Sequence, residues 1–231
     1  MIKRKFVLIF IGMVCLVFLT NFFMSKPIET KFKETAVIYS EENAMTMKEA
    51  IAMGYEYIRE ISTDANLAMI MSADAKGKQT TKSGGSGKRT IWNLLFIDPK
   101  STNANNDGTT TAYSIRIIDG KVTNCEGTKA GNNMRIEDSD LILDSSDAVN
   151  IAKNQKSLNP GKDWAIGYHF QMMYVPIDEK QKTQRLIIEV VGLSPNGNFA
   201  HVDIDEKTGQ IVKAIEMMPN DDKGNATWKD F

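Results

Sequence analysis

The 231-residue sequence predicts an α+β protein: an N-terminal transmembrane helix followed by two tandem modules, each one helix packed on an antiparallel sheet of about four strands. Three observations predict it. A 19-residue uncharged run, residues 6–24, stands behind a basic tip. Apolar residues recur at helical spacing in 45–61 and at alternate positions in several later runs. The order helix, strand, strand, strand-turn-strand is then met twice, which makes a twofold internal repeat the economical reading.

Residues 6–24, rich in Phe, Leu, Ile and Val, would span about 28 Å as a helix at about 1.5 Å per residue, close to the thickness of a bilayer's hydrocarbon core. Lys3, Arg4 and Lys5 precede the run and should stay on the cytoplasmic side, placing the remainder outside. A cleavage site needs small residues, whereas Asn21, Phe22, Phe23 and Met24 are mostly bulky. A lipid-bearing Cys needs a small residue before it, and Cys15 follows Val14 in the middle of the run. An uncleaved signal anchor over 1–24 is therefore expected, with a single-pass address in the cell membrane and the C-terminal part extracytoplasmic.

Residues 25–44 are polar and charged and read as a juxtamembrane spacer. In 45–61 the apolar positions are Met47, Ala50, Ile51, Gly54, Tyr57, Ile58 and Ile61, with Thr46 and Glu49 placed as a capping box. A helix follows from that pattern. Short apolar runs at 67–71 and 90–97 read as strands, separated by a loop rich in Lys, Thr, Gly and Ser. Tyr113, Ile115 and Ile117 alternate with Ser114 and Arg116 as a half-buried strand. Asp119-Gly120 is a two-residue hairpin signal, because Gly tolerates the positive φ such a turn requires. These elements make module 1, residues 45–127.

A linker over 128–141 leads to module 2, residues 142–219. Ser145 opens a short helix with Ala148, Ile151 and Ala152 on one side, and Asn159-Pro160-Gly161 ends it. Trp164, Ile166, Tyr168, Phe170, Met172 and Tyr174 then alternate over eleven residues as the clearest strand of the chain. Strands at 185–193, 199–204 and 211–215 follow, with turns at 194–197 and 205–209. The tail, 220–231, is polar and reads as frayed.

Composition excludes some function classes. Hydrophobic content is 42% and charged content 25%, values of an ordinary globular protein. Net charge is −1; setting aside the three N-terminal basic residues leaves 25 basic against 29 acidic, so nucleic acid is not an expected partner. The two cysteines, Cys15 and Cys125, are not expected to form an intrachain disulfide, which suits a bacterial envelope better than an animal extracellular fluid.

Candidate chemistry is sparse. Gly84-Gly85-Ser86-Gly87-Lys88 imitates a phosphate-binding loop, but Lys82 stands where its first Gly belongs and Arg89 where its hydroxyl belongs. A flexible loop is the better account. Asp203, Asp205 and Glu206 suggest a Ca²⁺ loop, yet counting from Asp203 puts Thr208 at the sixth position and Ala214 at the twelfth, where Gly and Glu are needed. His169 and His201 sit on strands opposite the aromatic and aliphatic stripes and could form a metal pair; with no acidic or Cys ligand at motif spacing, surface histidines are expected. Cys125 has no His at a recognisable spacing, and Ser, His and Asp show no nucleophile-elbow pattern. No catalytic, cofactor-binding or metal residue is assigned, and an enzyme is not expected.

The second half, about residues 141–218, resembles the PepSY domain family. The resemblance rests on Ser146-Asp147-Ala148-Val149-Asn150-Ile151-Ala152, similar to the family's acidic-Ala-x-x-Ile-Ala opening, and on 200–212, similar to its closing hairpin with Asp205, Thr208, Gly209 and Ile211. The first half matches in element order only, as a diverged copy. The resemblance implies a non-catalytic module outside the membrane, of a kind proposed to bind or restrain peptidases. The expected role is thus to bind another envelope protein, restraining a peptidase or assisting cell-wall assembly. A small-ligand or signal sensor, with the aromatic stripe lining a pocket, is the alternative.

Overall fold

The computed structural model describes residues 41–74, 80, 82–101, 110–130, 135–137, 140–163, 165–177, 183–219 and 225–231. They belong to one compact unit, Tyr39–Phe231. After a 3-10 turn at Glu41–Asn43, the order is α1 (Met47–Arg59), β1 (Asn66–Ser72), β2 (Ile91–Asp98), β3 (Thr110–Ile118), β4 (Lys121–Ala130), α2 (Ser145–Lys156), β5 (His169–Pro176), β6 (Gln184–Leu193), β7 (Phe199–Asp205), β8 (Ile211–Met218) and β9 (Thr227–Asp230).

The strands form a single nine-stranded antiparallel sheet in the order β4-β3-β2-β1-β5-β6-β7-β8-β9. The first half is a four-stranded meander and the second a five-stranded one, and the two are joined through their first strands, where Ile70 pairs with Met172 and Met71 with Gln171. Separate modules, each with its own sheet, therefore do not stand. The physical reason lies in the core. Trp92 of β2 stacks on Phe170 of β5 with ring centroids 6.1 Å apart, and one apolar cluster runs from Met47 and Ile58 to Val202 and Ala214. Joining the sheets pairs two edges that would otherwise stay open and merges two small cores, each marginal alone, into one.

Residues 6–24, where the transmembrane helix was expected, lie outside the described residues. Among the described residues no helix is long and apolar enough to cross a membrane: α1 has 13 residues and α2 has 12. Attachment to a membrane through an N-terminal helix, and the single-pass address derived from it, thus find no support in the structure.

The helix start at Thr46 forms as its spacing predicts. Thr46 Oγ1 accepts the Glu49 N–H (3.3 Å), and Glu49 Oε2 accepts the Thr46 N–H (2.7 Å). The buried face is Met47, Ala50, Ile51, Gly54, Tyr55 and Ile58; Tyr57 and Ile61 are exposed instead. Tyr55 is turned inward because its hydroxyl accepts the Leu67 N–H at 3.1 Å. The Leu67 carbonyl takes the Ile136 N–H (2.7 Å), and β1 shifts register between Leu67 and Met69. At Gly54 the helix lies so close to the sheet that an added Cβ would stand 2.7 Å from Leu94 Cδ2.

Asp144 is the N-cap of α2, with Asp147 completing a capping box, and Ser157 ends the helix in the left-handed region at φ 51°. Glu206 accepts the N–H groups of Ile142 and Leu143, tying the β7–β8 turn to the chain that leads into α2. Two strand expectations shift. The long strand begins at His169 rather than at residue 164, because Gly167 takes φ 80° and bridges back to Gly161; Trp164 lies outside the described residues. The tail carries β9, whose Trp228 packs edge-on against Phe199.

Candidate functional site

The two helices cover one face of the sheet, and the opposite face gathers charge on β6 and β7. Glu189 and Asp203 are direct cross-strand partners there, and His201, two residues before Asp203, shares their face. Its Nδ1 lies 2.8 Å from Asp203 Oδ1 and 3.1 Å from Glu189 Oε2. Side-chain exposures are 13% for His201, 19% for Glu189 and 11% for Asp203, so the cluster is recessed without being sealed. Trp228 of β9 meets the His201 ring edge-on, centroids 5.4 Å apart.

Burial by itself would lower the His201 pKa, but hydrogen bonds and charge from Asp203 and Glu189 overcome it and raise it to about 9. At neutral pH the ring is an imidazolium held between two carboxylates. Lys213 of β8 is the cross-strand partner of Asp203 on its other side, and Arg185 Nε pairs with Asp205 Oδ2 at 3.1 Å further along. The three candidate ligand atoms of Glu189, His201 and Asp203 all lie within 4.8 Å of one another.

A second polar cluster locks the junction between the halves. Arg89, with 1% side-chain exposure, donates to the carbonyls of Ile166 (3.0 Å) and Ala73 (3.1 Å) and pairs with Asp74 Oδ1 at 2.7 Å. His169 Nε2 lies 3.0 Å from the same Asp74 oxygen, and its Nδ1 lies 3.2 Å from Ser72 Oγ. Burial pushes the Asp74 pKa up, but His169 and Arg89 outweigh it and hold the carboxyl below its ordinary value. Ser, His and Asp are thus in sequence of contact. Ser72 Oγ, however, also accepts the Phe170 N–H at 3.0 Å, and the residue is 9% exposed. Its hydroxyl is thus lodged in the β1–β5 junction, where it ties the two strands together.

The glycine-rich segment is neither a phosphate cradle nor a flexible loop. Gly87, at φ 83°, lies where an added Cβ would stand 2.3 Å from the Ser146 N, and its carbonyl accepts the Ser145 hydroxyl (2.7 Å). The segment packs onto the start of α2, so its glycines serve close approach. The turn at 205–209 is an Asx-type turn: Asp205 Oδ1 accepts both the N–H and the hydroxyl of Thr208 at 2.8 Å. Cys125 is half-buried, and burial, with the charge of Glu126, raises its thiol pKa. In the aromatic stripe Tyr168, Phe170 and Met172 fill the core. The two cavities described, about 90 and 320 Å³, are lined by other residues, chiefly 82–90 and the flank of α1 that carries Lys48, Ile51, Tyr55 and Arg59.

Asp203 is buried, and both histidines are largely covered, not the surface groups expected. Glu189 comes from a different strand, so no spacing rule reveals it. The signal that was present is His-x-Asp, which on a strand puts both side chains on one face.

No family model matches the chain. No curated protein matches it either. Among solved structures, a "putative lipoprotein" from Clostridium difficile 630 is similar at 11% identity and a TM-score of 0.47, covering 71% of this chain and 90% of its own.

Proposed function

We propose that this chain is a non-catalytic, extracytoplasmic domain that binds another envelope protein by taking an extended segment of it along the β4 edge. The observation that carries the reading is β4 itself. It is ten residues long, ends the sheet among the described residues, and pairs with β3 as its neighbour in the strand order. Most of its residues are exposed, from Lys121 to Lys129. At roughly 3.4 Å per residue it offers about 34 Å of edge, with N–H and C=O of alternate residues directed outward. Strand addition asks only for such an edge, and so needs no special side chains.

The basic tip and uncharged run at residues 3–24 support export from the cytoplasm. Similarity of 141–218 to the PepSY family supports a peptidase among the partners, with restraint of its activity as the consequence. The test places a photo-crosslinking residue at Thr128 in the full chain, expressed in its own cell. A crosslink to one exported protein is expected, and a peptide from the crosslinked segment should slow amide exchange along β4. Binding of that peptide with no added protection in β4 would refute the edge.

A further inference from the structure

We propose that Glu189, His201 and Asp203 form a three-ligand site for a divalent transition cation of the zinc type, on the sheet face opposite the helices. Backbone register builds the site. Glu189 and Asp203 are opposed across the β6–β7 ladder, and His201 stands on the same face two residues away. Like charges directly opposed on a sheet are destabilising unless positive charge sits with them; the His201 ring proton supplies it in the metal-free site, and an ion bound there would displace that proton and take its place.

Spacing supplies the second argument. Both carboxylates converge on one nitrogen, with Asp203 Oδ1 and Glu189 Oε2 at 2.8 and 3.1 Å from His201 Nδ1. A ring nitrogen carries at most one proton, so it cannot give each carboxylate a full hydrogen bond. Donors on a tetrahedral ion with bonds of about 2.0–2.2 Å stand roughly 3.3–3.6 Å apart. The two contacts to the ring nitrogen must therefore open by about 0.2–0.8 Å to seat an ion, and all three donor atoms already lie within 4.8 Å of one another.

The donor set selects the class. One imidazole nitrogen and two carboxylate oxygens suit zinc or a neighbouring transition ion, whereas Ca²⁺ takes six to eight oxygens. Three protein ligands leave a coordination position for water or an incoming group. Trp228, 45% exposed, stands beside the ring and forms one wall. Lys213 is the cross-strand partner of Asp203 on β8, and its positive charge beside the site favours a moderate affinity over a very tight one. The site does not depend on the β4 edge.

Zn²⁺ is titrated calorimetrically into the metal-stripped full chain at pH 7.5. One ion per chain is expected, with a dissociation constant in the micromolar range. Glu189→Gln, Asp203→Asn and His201→Ala should each weaken binding at least ten-fold while circular dichroism stays unchanged. Absorption spectroscopy at the zinc edge, which needs no variant, should show a single imidazole among oxygen ligands. Co²⁺ should quench the fluorescence of the chain, and Trp228→Phe should remove most of that quenching. Binding weaker than millimolar, a zinc shell without imidazole, or affinity unchanged in all three variants would overturn the site.

Discussion

Asp144 caps two helices at once: its Oδ1 accepts the Lys48 N–H of α1 at 3.1 Å and the Ser145 N–H of α2 at 2.7 Å. Beside it, Ser145 Oγ accepts the Met47 N–H at 2.9 Å. The first turns of the two helices thus meet head to head, where their exposed N–H groups share one carboxylate and one hydroxyl.

Removing a single N-cap side chain costs about 1 kcal/mol, and Asp144 serves two helix starts, so Asp144→Ala should cost about 2 kcal/mol. Urea unfolding reads this as a lower midpoint at unchanged slope. A loss under about 0.5 kcal/mol, the size of an ordinary surface substitution, would show that the shared cap does not stabilise the fold.

Gly54 tests how closely α1 is seated. Alanine raises helix propensity by about 1 kcal/mol over glycine in a free helix. Here the new methyl would meet Leu94 Cδ2 at 2.7 Å and Phe96 Cε2 at 3.1 Å, both buried in the core. Overpacking costs about 1–3 kcal/mol, so the clash should win and Gly54→Ala should lower the melting temperature. A stabilised variant would mean that α1 rides higher on the sheet.

The helix at 47–59 was legible because everything that makes it is local: a capping box at Thr46 and Glu49, then a buried stripe at helical spacing. The Asp119-Gly120 hairpin was legible for the same reason, and Asp119 does take φ 51°. What escaped depends on distant pairs. Nothing in 66–72 announces that Ile70 will lie beside Met172, about a hundred positions on, and that pairing turns two sheets into one. His201 met the same difficulty. Its neighbour Asp203 was within reach of a period-two reading, but Glu189 joins only through the β6–β7 register.

Acid should loosen the junction through Asp74. Its folded-state pKa lies below the ordinary carboxyl value: burial raises it, and His169 and Arg89 lower it by more. A depressed carboxyl contributes stability that is present above the unfolded pKa and is lost as pH falls through the folded one. Asp74→Asn should therefore be less stable than the parent at pH 7, and the gap should close progressively below about pH 4. Stability curves measured from pH 7 to pH 2 check this. A gap that stays constant into acid would assign the loss to packing instead of charge.

Phe170 offers the sharpest test of the shared core. It is 1% exposed on β5, yet its ring stacks on Trp92 of β2, from the other half of the chain. Phe170→Leu keeps much of the volume but removes the stack, and truncation further to Ala should cost about 3–5 kcal/mol. If the halves share one core, either change should speed amide exchange in β2 and β3 as well as in β6 and β7, and unfolding should remain one transition by every probe. Independent halves would behave otherwise, with faster exchange confined to β5–β8 and a second, unshifted transition for the strands around Trp92. The stack reaches past β1 to join two meanders that touch through only a short ladder. The cooperativity of the whole sheet therefore rests more on side-chain packing beneath it than on the hydrogen bonds between β1 and β5.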